Sequence, residues 1–397
     1  FLFGAAFLPV YISFFVRPDS FMLFWGLLSV LFAFRIAERP SAANYALSGL
    51  FAGLSAASKY PGGLFVFFLA WSHFYNAWRA RSPLLNVRSL LLGAGTSIGV
   101  FALVNPYFVL SFSDAMFHIS NWNTIHWGTA AERGAFAWRN YLDLLAYSLP
   151  LAMGWPLYLL SLAGLPLLVR DRSPYAAAVL SFMALYALLF GSMDYPHFAY
   201  FIQITVFLCV SAARAVSALS GRAAWLVLAA LVTFYTAAYT VYLKSFFWEP
   251  GTPAAAGVWL EANVRPGASV AVPKKDIWTP PVIRQETPPY RVLEAAPSRA
   301  TIADALSAFP AEARKADYLV VAEPEYGPVS GLPEERRLAL LAEAAAGFRE
   351  VVKFEEPMNR FFVPMVTDMH KYQLKLRAPD IRIFERARPP ARRWSRS

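Results

Sequence analysis

The sequence has few charged residues, a single cysteine and almost none of the short motifs that mark soluble catalytic sites. Asp, Glu, Lys and Arg make up 16% of the 397 residues, whereas about 25% is usual for a soluble globular protein. The one cysteine, Cys209, excludes an intrachain disulfide and says nothing about the redox compartment. The P-loop, GxGxxG, HExxH and CxxC patterns are absent, which excludes the commonest arrangements for nucleotide hydrolysis, dinucleotide binding and zinc binding.

Apolar residues, by contrast, are abundant and concentrated in one part of the chain. Hydrophobic side chains make up 57% of the sequence, with a mean hydropathy of +0.41, and the long apolar runs lie within residues 1–247. A transmembrane helix needs about 20 apolar residues. We therefore predict that residues 1–247 form a polytopic α-helical membrane domain of about nine helices. The candidate spans are 1–16, 20–35, 44–57, 61–78, 87–110, 140–169, 175–191, 197–213 and 224–246. In the short span 44–57, Gly49 and Gly53 stand at the i,i+4 spacing that lets another helix approach closely.

The remainder of the chain is polar and predicts a different kind of domain. Residues 248–385 alternate helical patterns, such as 253–263 and 334–348, with short apolar strands at 268–272 and 317–322. This alternation is typical of a small α/β domain. Residues 386–397 are rich in Arg and Pro and predict a basic disordered tail.

Basic residues in short loops predict which ends of the spans share a side of the membrane. Cytoplasmic loops are enriched in Lys and Arg, and alternation of the spans places four basic loops on one face. Much of the net charge of +10 lies in these loops and in the tail, so we do not predict a nucleic-acid partner. The opposite, extracytoplasmic face receives the C-terminal domain and isolated ionisable residues at helix ends: Asp19, Lys59, Asp114, His118, His126, Asp194 and His197.

Two of these residues are the leading site candidates, and each has a structural alternative. Asp19 follows Pro18 at the start of a helix, where a carboxylate stabilises free N–H groups and the helix dipole without any further role. Lys59 lies beside the Gly-rich turn Pro61-Gly62-Gly63, where an ammonium suits a lipid phosphate. The alternative for Lys59 is a lysine that extends to lipid headgroups.

Polar residues of two further segments complete the candidate set. His118, Asn121 and His126 lie in a predicted long loop, 111–139, after the span that ends near residue 110, and Asp194 and His197 precede another span. Aromatic and amide side chains suit a sugar, whereas interface anchoring and mutual pairing are the structural alternatives. The two histidines lack a third ligand at suitable spacing, so no metal site is assigned, although a divalent cation stays open.

Several stretches together resemble membrane glycosyltransferases of the GT-C fold that use polyprenol-phosphate sugars. The resemblance is nearest to glycosyltransferase family 39, the protein mannosyltransferase and aminoarabinose transferase group. It covers nearly the whole chain as a pattern of spans and small motifs. The stretches are RPDSFMLFWGLLSVLFAF, YALSGLFAGLSAASKYPGGLFVFFLA, NPYFVLSFSDAMFHISNW, LAGLPLLVRDR and MDYPHFAYFIQI.

The resemblance implies transfer of a sugar, with inversion, from a polyprenyl-phosphate donor to an acceptor on the extracytoplasmic face. It implies that the main base is a carboxylate in a loop upstream of residue 1, so Asp19 takes a supporting catalytic role. Arg17, Lys59 and Tyr60 are then expected to bind substrate, with Lys59 on the donor phosphate. Pro196-His197-Phe198 stands where relatives carry Arg-Tyr, which weakens any role for that arginine.

The expected partners are the lipid-linked donor, membrane lipids and an acceptor that is a protein, a lipid or a glycan. The expected location is the inner or plasma membrane, with several spans. Two other functions stay open: a transporter or flippase, for which ionisable groups near the bilayer midplane are diagnostic, and a non-catalytic membrane scaffold that presents the α/β domain.

Overall fold

The computed structural model describes residues 2–14, 17–82, 86–127, 138–193, 198–218, 222–245, 251–275, 279–297, 300–322, 332–355 and 380–387. The chain divides into two compact units, Phe1–Lys244 and Ser245–Ser397. Over the described residues the structure is mostly helical, with 74% of them in helices and a small sheet in the second unit.

The first unit consists of helices over its described residues. They are α1 (Leu2–Ala5), α2 (Phe7–Phe14), α3 (Pro18–Glu38), α4 (Ala42–Ser58), α5 (Val66–Arg79), α6 (Val87–Val104), α7 (Pro106–Leu110), α8 (Phe112–Trp127), α9 (Trp138–Asp143), α10 (Leu149–Met153), α11 (Trp155–Arg170), α12 (Pro174–Phe190), α13 (Ile202–Ser217) and α14 (Arg222–Ser245). Short 3-10 turns, Tyr60–Phe65 and Phe198–Phe201, precede α5 and α13. Cys209 is buried within α13.

A few of these helices are long and apolar enough to cross a membrane. Three qualify over the described residues: Pro18–Glu38, Val87–Val104 and Ala199–Ser217. A fourth crossing comes from the pair Asn140–Met153 and Trp155–Arg170 if the two arms form one span. The chain bends by 119° between these arms, at Gly154, which takes a φ of +79° that favours glycine. The predicted total of about nine spans stays a prediction.

Helices α4 and α6 pack closely, as the small residues of α4 predict. A side chain on Gly49 would overlap the backbone carbonyl of Gly93, and one on Gly53 would overlap the carbonyl of Ser97. The predicted close approach of a helix at Gly49 and Gly53 is therefore confirmed, and glycine at these positions lets the two backbones meet.

The segment from 111 to 139, predicted as a long loop, is helical over most of its described length. The chain breaks at Asn105, just before Pro106, and continues as α7 and α8. The prediction of a loop was wrong because its polar residues, among them His118, lie on the exposed surface of a helix. Polarity alone does not prevent a helix.

The second unit contains a five-stranded sheet with helices on both faces. Its elements are α15 (Thr252–Asn263), β1 (Ser269–Val272), α16 (Pro281–Arg284), β2 (Arg291–Glu294), α17 (Ile302–Ala313), β3 (Tyr318–Ala322), α18 (Glu334–Ala344), β4 (Phe348–Phe354) and β5 (Ile381–Arg386). The strand order is β2-β1-β3-β5-β4. β2, β1 and β3 are parallel, whereas β5 runs antiparallel to both β3 and β4.

Two details of this unit differ from the sequence predictions. Strand β2 was missed, because its four residues carry two charges and no apolar alternation. The predicted tail was placed one residue too early: Arg386 belongs to β5, and its guanidinium donates to the carbonyl oxygens of Ala313, Arg314 and Ala316. Residues 388–397 of the tail and the predicted boundary at 247/248 lie outside the described residues.

Candidate functional site

The candidate site begins where α3 starts. Pro18 occupies the first turn and fixes a φ that suits it, while Arg17 is the extended N-cap residue and makes no side-chain capping bond. Asp19 lies in the same turn and is fully buried. Its carboxylate oxygens bind two cations: Oδ2 accepts from Arg17 Nε at 3.2 Å, and Oδ1 accepts from Lys59 Nζ at 2.6 Å.

The end of α4 brings Lys59 to this position. Lys59 is the C-cap residue, extended in φ and ψ, and its N–H donates to the carbonyl of Ser55 at 3.1 Å. The chain then turns tightly through Pro61, and a side chain on Gly62 would overlap Ser55. Glycine is therefore required where the turn folds back against α4, and this close turn directs the lysine toward α3.

The cluster of Arg17, Asp19 and Lys59, called here the ion cluster, carries a net charge of +1. The carboxylate is fully buried, whereas the side chains of Arg17 and Lys59 are 24% and 19% exposed. The two cations therefore reach the surface from a buried anchor. Such an arrangement suits a singly charged anion, because two cations and one carboxylate leave one positive charge in excess.

An aromatic ring holds the ammonium of Lys59 from a further side. Nζ lies 4.3 Å from the ring centroid of Tyr200, within the range of a cation–π contact. The hydroxyl of Tyr186, a buried residue of α12, donates to the backbone carbonyl of Tyr200. The ring of Phe190 stacks between these two tyrosines, 4.4 Å from Tyr186 and 5.7 Å from Tyr200. The 3-10 turn before α13 is thereby fixed against α12.

One helical turn below the ion cluster, the same three segments meet again. The hydroxyl of Ser55 donates to the carbonyl of Met22 at 2.7 Å, and Gln203 Nε2 donates to Met22 Sδ at 3.2 Å. All three residues are buried, and the oxygen of the same amide, Gln203 Oε1, has no hydrogen-bond partner. Asp19 and Met22 thus lie one turn apart in α3. Lys59 lies just after Ser55 of α4, and Tyr200 lies just before Gln203 of α13.

The other predicted site residues do not join the ion cluster over the described part of the chain. Tyr60 is 55% exposed, and its ring contacts Phe101 and Phe108 rather than the cluster. His118 is exposed on α8, and its ring contacts that of its neighbour Phe117. The side chains of Asn121, His126, Asp194 and His197 lie outside the described residues.

Sequence reasoning missed Tyr186, Tyr200 and Gln203, and it also missed a second buried polar contact. The hydroxyl of Tyr45 in α4 and Nδ1 of His73 in α5 are 3.0 Å apart, and both side chains are buried. Histidine inside an apolar helix was a signal that could have found this contact, because ionisable residues within spans are rare and usually paired.

Two types of catalytic centre receive no support from the described residues. No group of three or more His, Cys, Asp or Glu side chains could hold a metal ion in that part of the chain. The pattern GxSxG does occur once, as GTSIG at 95–99. It lies inside α6 instead of at a strand-to-helix turn, which is the context that exposes a nucleophilic serine.

Comparison with known proteins adds no family assignment. No protein-family model matches the chain, and no curated protein matches it at a significant level.

Proposed function

We propose that the protein is an integral-membrane glycosyltransferase that uses a polyprenyl-phosphate-linked sugar. The observation that carries this proposal is the ion cluster, a surface-reaching pair of cations anchored on a buried carboxylate at the ends of apolar helices. A phosphate-linked sugar on a lipid carries one negative charge, which matches the net charge of the cluster. The lipid partitions into the membrane that the apolar helices indicate.

In this reaction the bond between the anomeric carbon and the phosphate oxygen breaks, and a bond to the acceptor oxygen forms on the opposite side of the sugar. The electron pair leaves with the lipid phosphate, so charge develops there, and the ammonium of Lys59 and the guanidinium of Arg17 stabilise it. The acceptor hydroxyl loses its proton to a general base. Asp19 is a poor choice for that base, because both of its oxygens are occupied by cations and no part of it is exposed.

Asp19 is therefore assigned as a positioning residue, consistent with a supporting role. Its charge holds the two cations close together, where each alone would be free to extend into solvent. Tyr200 adds a second support for Lys59. The acceptor is a protein, a lipid or a glycan.

The test is transfer of radiolabelled hexose from a polyprenyl-phosphate donor in membranes that contain the full-length gene product. We expect Lys59→Gln and Arg17→Gln each to lower the transfer rate about 10- to 100-fold, the worth of one charged hydrogen bond. Arg35→Gln is the matched control, because Arg35 lies in the last turn of the same helix, α3. Equal rates in all three variants would refute the assignment of the ion cluster.

A second function is favoured by one specific observation, the buried contact between Tyr45 and His73. A buried ionisable pair among apolar helices is a feature of proton-coupled transporters. We therefore include solute uptake by the same membranes as an assay. Uptake that is lost in His73→Phe, together with no hexose transfer from any lipid-linked donor, would favour transport over glycosyl transfer.

A further inference from the structure

The second unit contains a buried arginine that lacks a counter-charge among the described residues. Arg337 lies in α18 and is only 8% exposed. Its Nη1 donates to the carbonyl of Leu332 at 3.2 Å, while its buried Nε has no hydrogen-bond partner. A guanidinium is always charged, and burying it without an anion is unfavourable. The structure therefore has a buried cation that needs an anion.

The position of Arg337 in the fold is informative. Strands β3 and β4 begin at the same edge of the sheet, because Tyr318 and Phe348 pair with adjacent residues of β5. Helix α18 ends just before β4 and packs on the sheet through Ala344, so its last turn lies at this edge and its first turn lies toward the carboxyl end of β3. Helical side chains lean toward the N-terminus of their helix. The bond to Leu332, which precedes the helix, shows that the guanidinium follows this rule. Arg337 thus points to the carboxyl edge of the sheet.

This edge has the topology at which open α/β sheets bind ligands. The connection from β1 to β2 passes through α16, which packs with Val270 and Val272 on one face of the sheet. The connection from β2 to β3 passes through α17, which packs with Ala271 on the opposite face. The chain leaves β3 toward α18, whose Ala344 packs in the same cluster as α17. The helices that follow β1 and β3 therefore lie on opposite faces of the sheet, and a crevice at the carboxyl ends of such neighbouring strands is the usual ligand site.

Two lysines stand at the same edge. Lys274 and Lys275 follow β1 after a single proline. Nζ of Lys274 donates to the carbonyl of Ala300, just before α17, at 2.9 Å. At the far ends of α17 and α18, Arg314 and Glu343 form an ion pair at 3.0 Å. The two helices therefore run side by side in the same direction, and their N-terminal ends lie together at this edge.

We propose that the carboxyl edge of this sheet binds a phosphoryl oxyanion, with Arg337 as the buried anchor and Lys274 and Lys275 at the rim. A guanidinium binds two phosphate oxygens with matched geometry, and the lysines add positive charge without fixed geometry. The shared chemistry is a phosphate group, supplied either by a soluble phosphorylated molecule or by a phospholipid headgroup. This site is independent of the ion cluster and of the proposed glycosyl transfer.

The experiment measures hydrogen–deuterium exchange of peptides from α18 in the full-length protein in detergent. Inorganic phosphate is compared with chloride at equal ionic strength. We expect phosphate to slow exchange in the wild type, Arg337→Met to abolish that protection, and Lys275→Gln to raise the apparent dissociation constant about tenfold. Arg336→Met is the matched control, because Arg336 is the exposed neighbour in the same helix, and it should leave the protection intact.

The exchange rates in chloride provide a second, independent readout. If Arg337 has no anion of its own, Arg337→Met leaves these rates unchanged or lowers them, because an uncompensated buried charge has been removed. Faster exchange of this variant in chloride would show an internal carboxylate partner and would overturn the proposal.

Nanodiscs distinguish the two sources of phosphate. Protection by free phosphate assigns a soluble ligand, and protection only in phosphatidylglycerol nanodiscs, compared with phosphatidylcholine nanodiscs, assigns a headgroup. No protection in either condition, or protection that persists in Arg337→Met, would overturn the site.

Discussion

Replacing Asp19 by asparagine should destabilise the helical unit by about 3 kcal/mol, because it removes the buried anion from between two cations. Removing one partner of a buried ion pair usually costs about 3–5 kcal/mol. The side chains of Arg17 and Lys59 are 24% and 19% exposed, so water compensates part of the loss. This places the expected value at the lower end of the range. The side-chain shape is nearly unchanged, so the loss is electrostatic.

The assay is chemical unfolding of the full-length protein in detergent, followed by near-ultraviolet circular dichroism. Asp171→Asn is the matched control, because Asp171 also pairs with an arginine, Arg214, through bonds of 2.8 and 2.9 Å, but at an exposed position. Exposed ion pairs contribute little to stability. Asp171→Asn should therefore lower the free energy of unfolding by only a small fraction of what Asp19→Asn does. Equal losses in the two variants would refute the view that the ion cluster holds α3 against α4.

A double variant, Asp19→Asn with Lys59→Met, tests whether the loss of stability comes from the ion pair between Asp19 and Lys59. Lys59→Met removes one of the two cations that Asp19→Asn leaves without an anion. The combined loss should therefore be smaller than the sum of the two single losses. Strict additivity would show that Asp19 stabilises the unit through something other than Lys59.

Three further variants test other parts of the structure. Gly49→Ala should lower stability by about 1–2 kcal/mol in the same unfolding assay, since overpacking outweighs the gain in helix propensity. Gly95→Ala should be neutral or stabilising, because its new side chain meets nothing within 4 Å. Tyr200→Leu should expose the ammonium of Lys59, which lies over the Tyr200 ring, and so speed its amine labelling as measured by mass spectrometry. Tyr200→Phe keeps an aromatic ring and should not change the labelling rate. Hydrogen bonds from the backbone and the hydroxyl of Ser269 hold the pKa of Asp317 below its ordinary value of 3.8. Pulse proteolysis should therefore show that Asp317→Asn is less stable than wild type above that pH, and that the difference shrinks as the pH falls through the lowered pKa.

Much of the helical unit could be predicted from the sequence, because a sufficiently long apolar run can form few structures other than a helix. The packing of α4 on α6 was predictable in the same way, since Gly49 and Gly53 recur at a spacing that places both on one helix face. The helix at α8 was not predicted, because a polar surface was interpreted as a loop. Strand β2 was too short and too charged to show the alternation of apolar and polar residues that predicts a strand.

The sequence named Asp19 and Lys59 as candidates but could not show that they touch. They are separated by 40 positions, and their contact depends on the tight turn at Gly62 and on how α3 lies against α4. Tyr200 was harder to find, because nothing in an aromatic-rich sequence distinguishes a ring under an ammonium from a ring in the core. Its role depends on tertiary contacts alone.

The burial of Cys209 in α13 has a practical consequence for the sidedness on which the proposed function depends. Its side chain is 6% exposed, so a maleimide added to intact cells should leave the native protein almost unmodified. New thiols introduced in place of Tyr60 or Ser111 would then report directly which compartment each occupies, with no background to subtract. A chain whose one thiol is buried is therefore well suited to mapping with introduced cysteines.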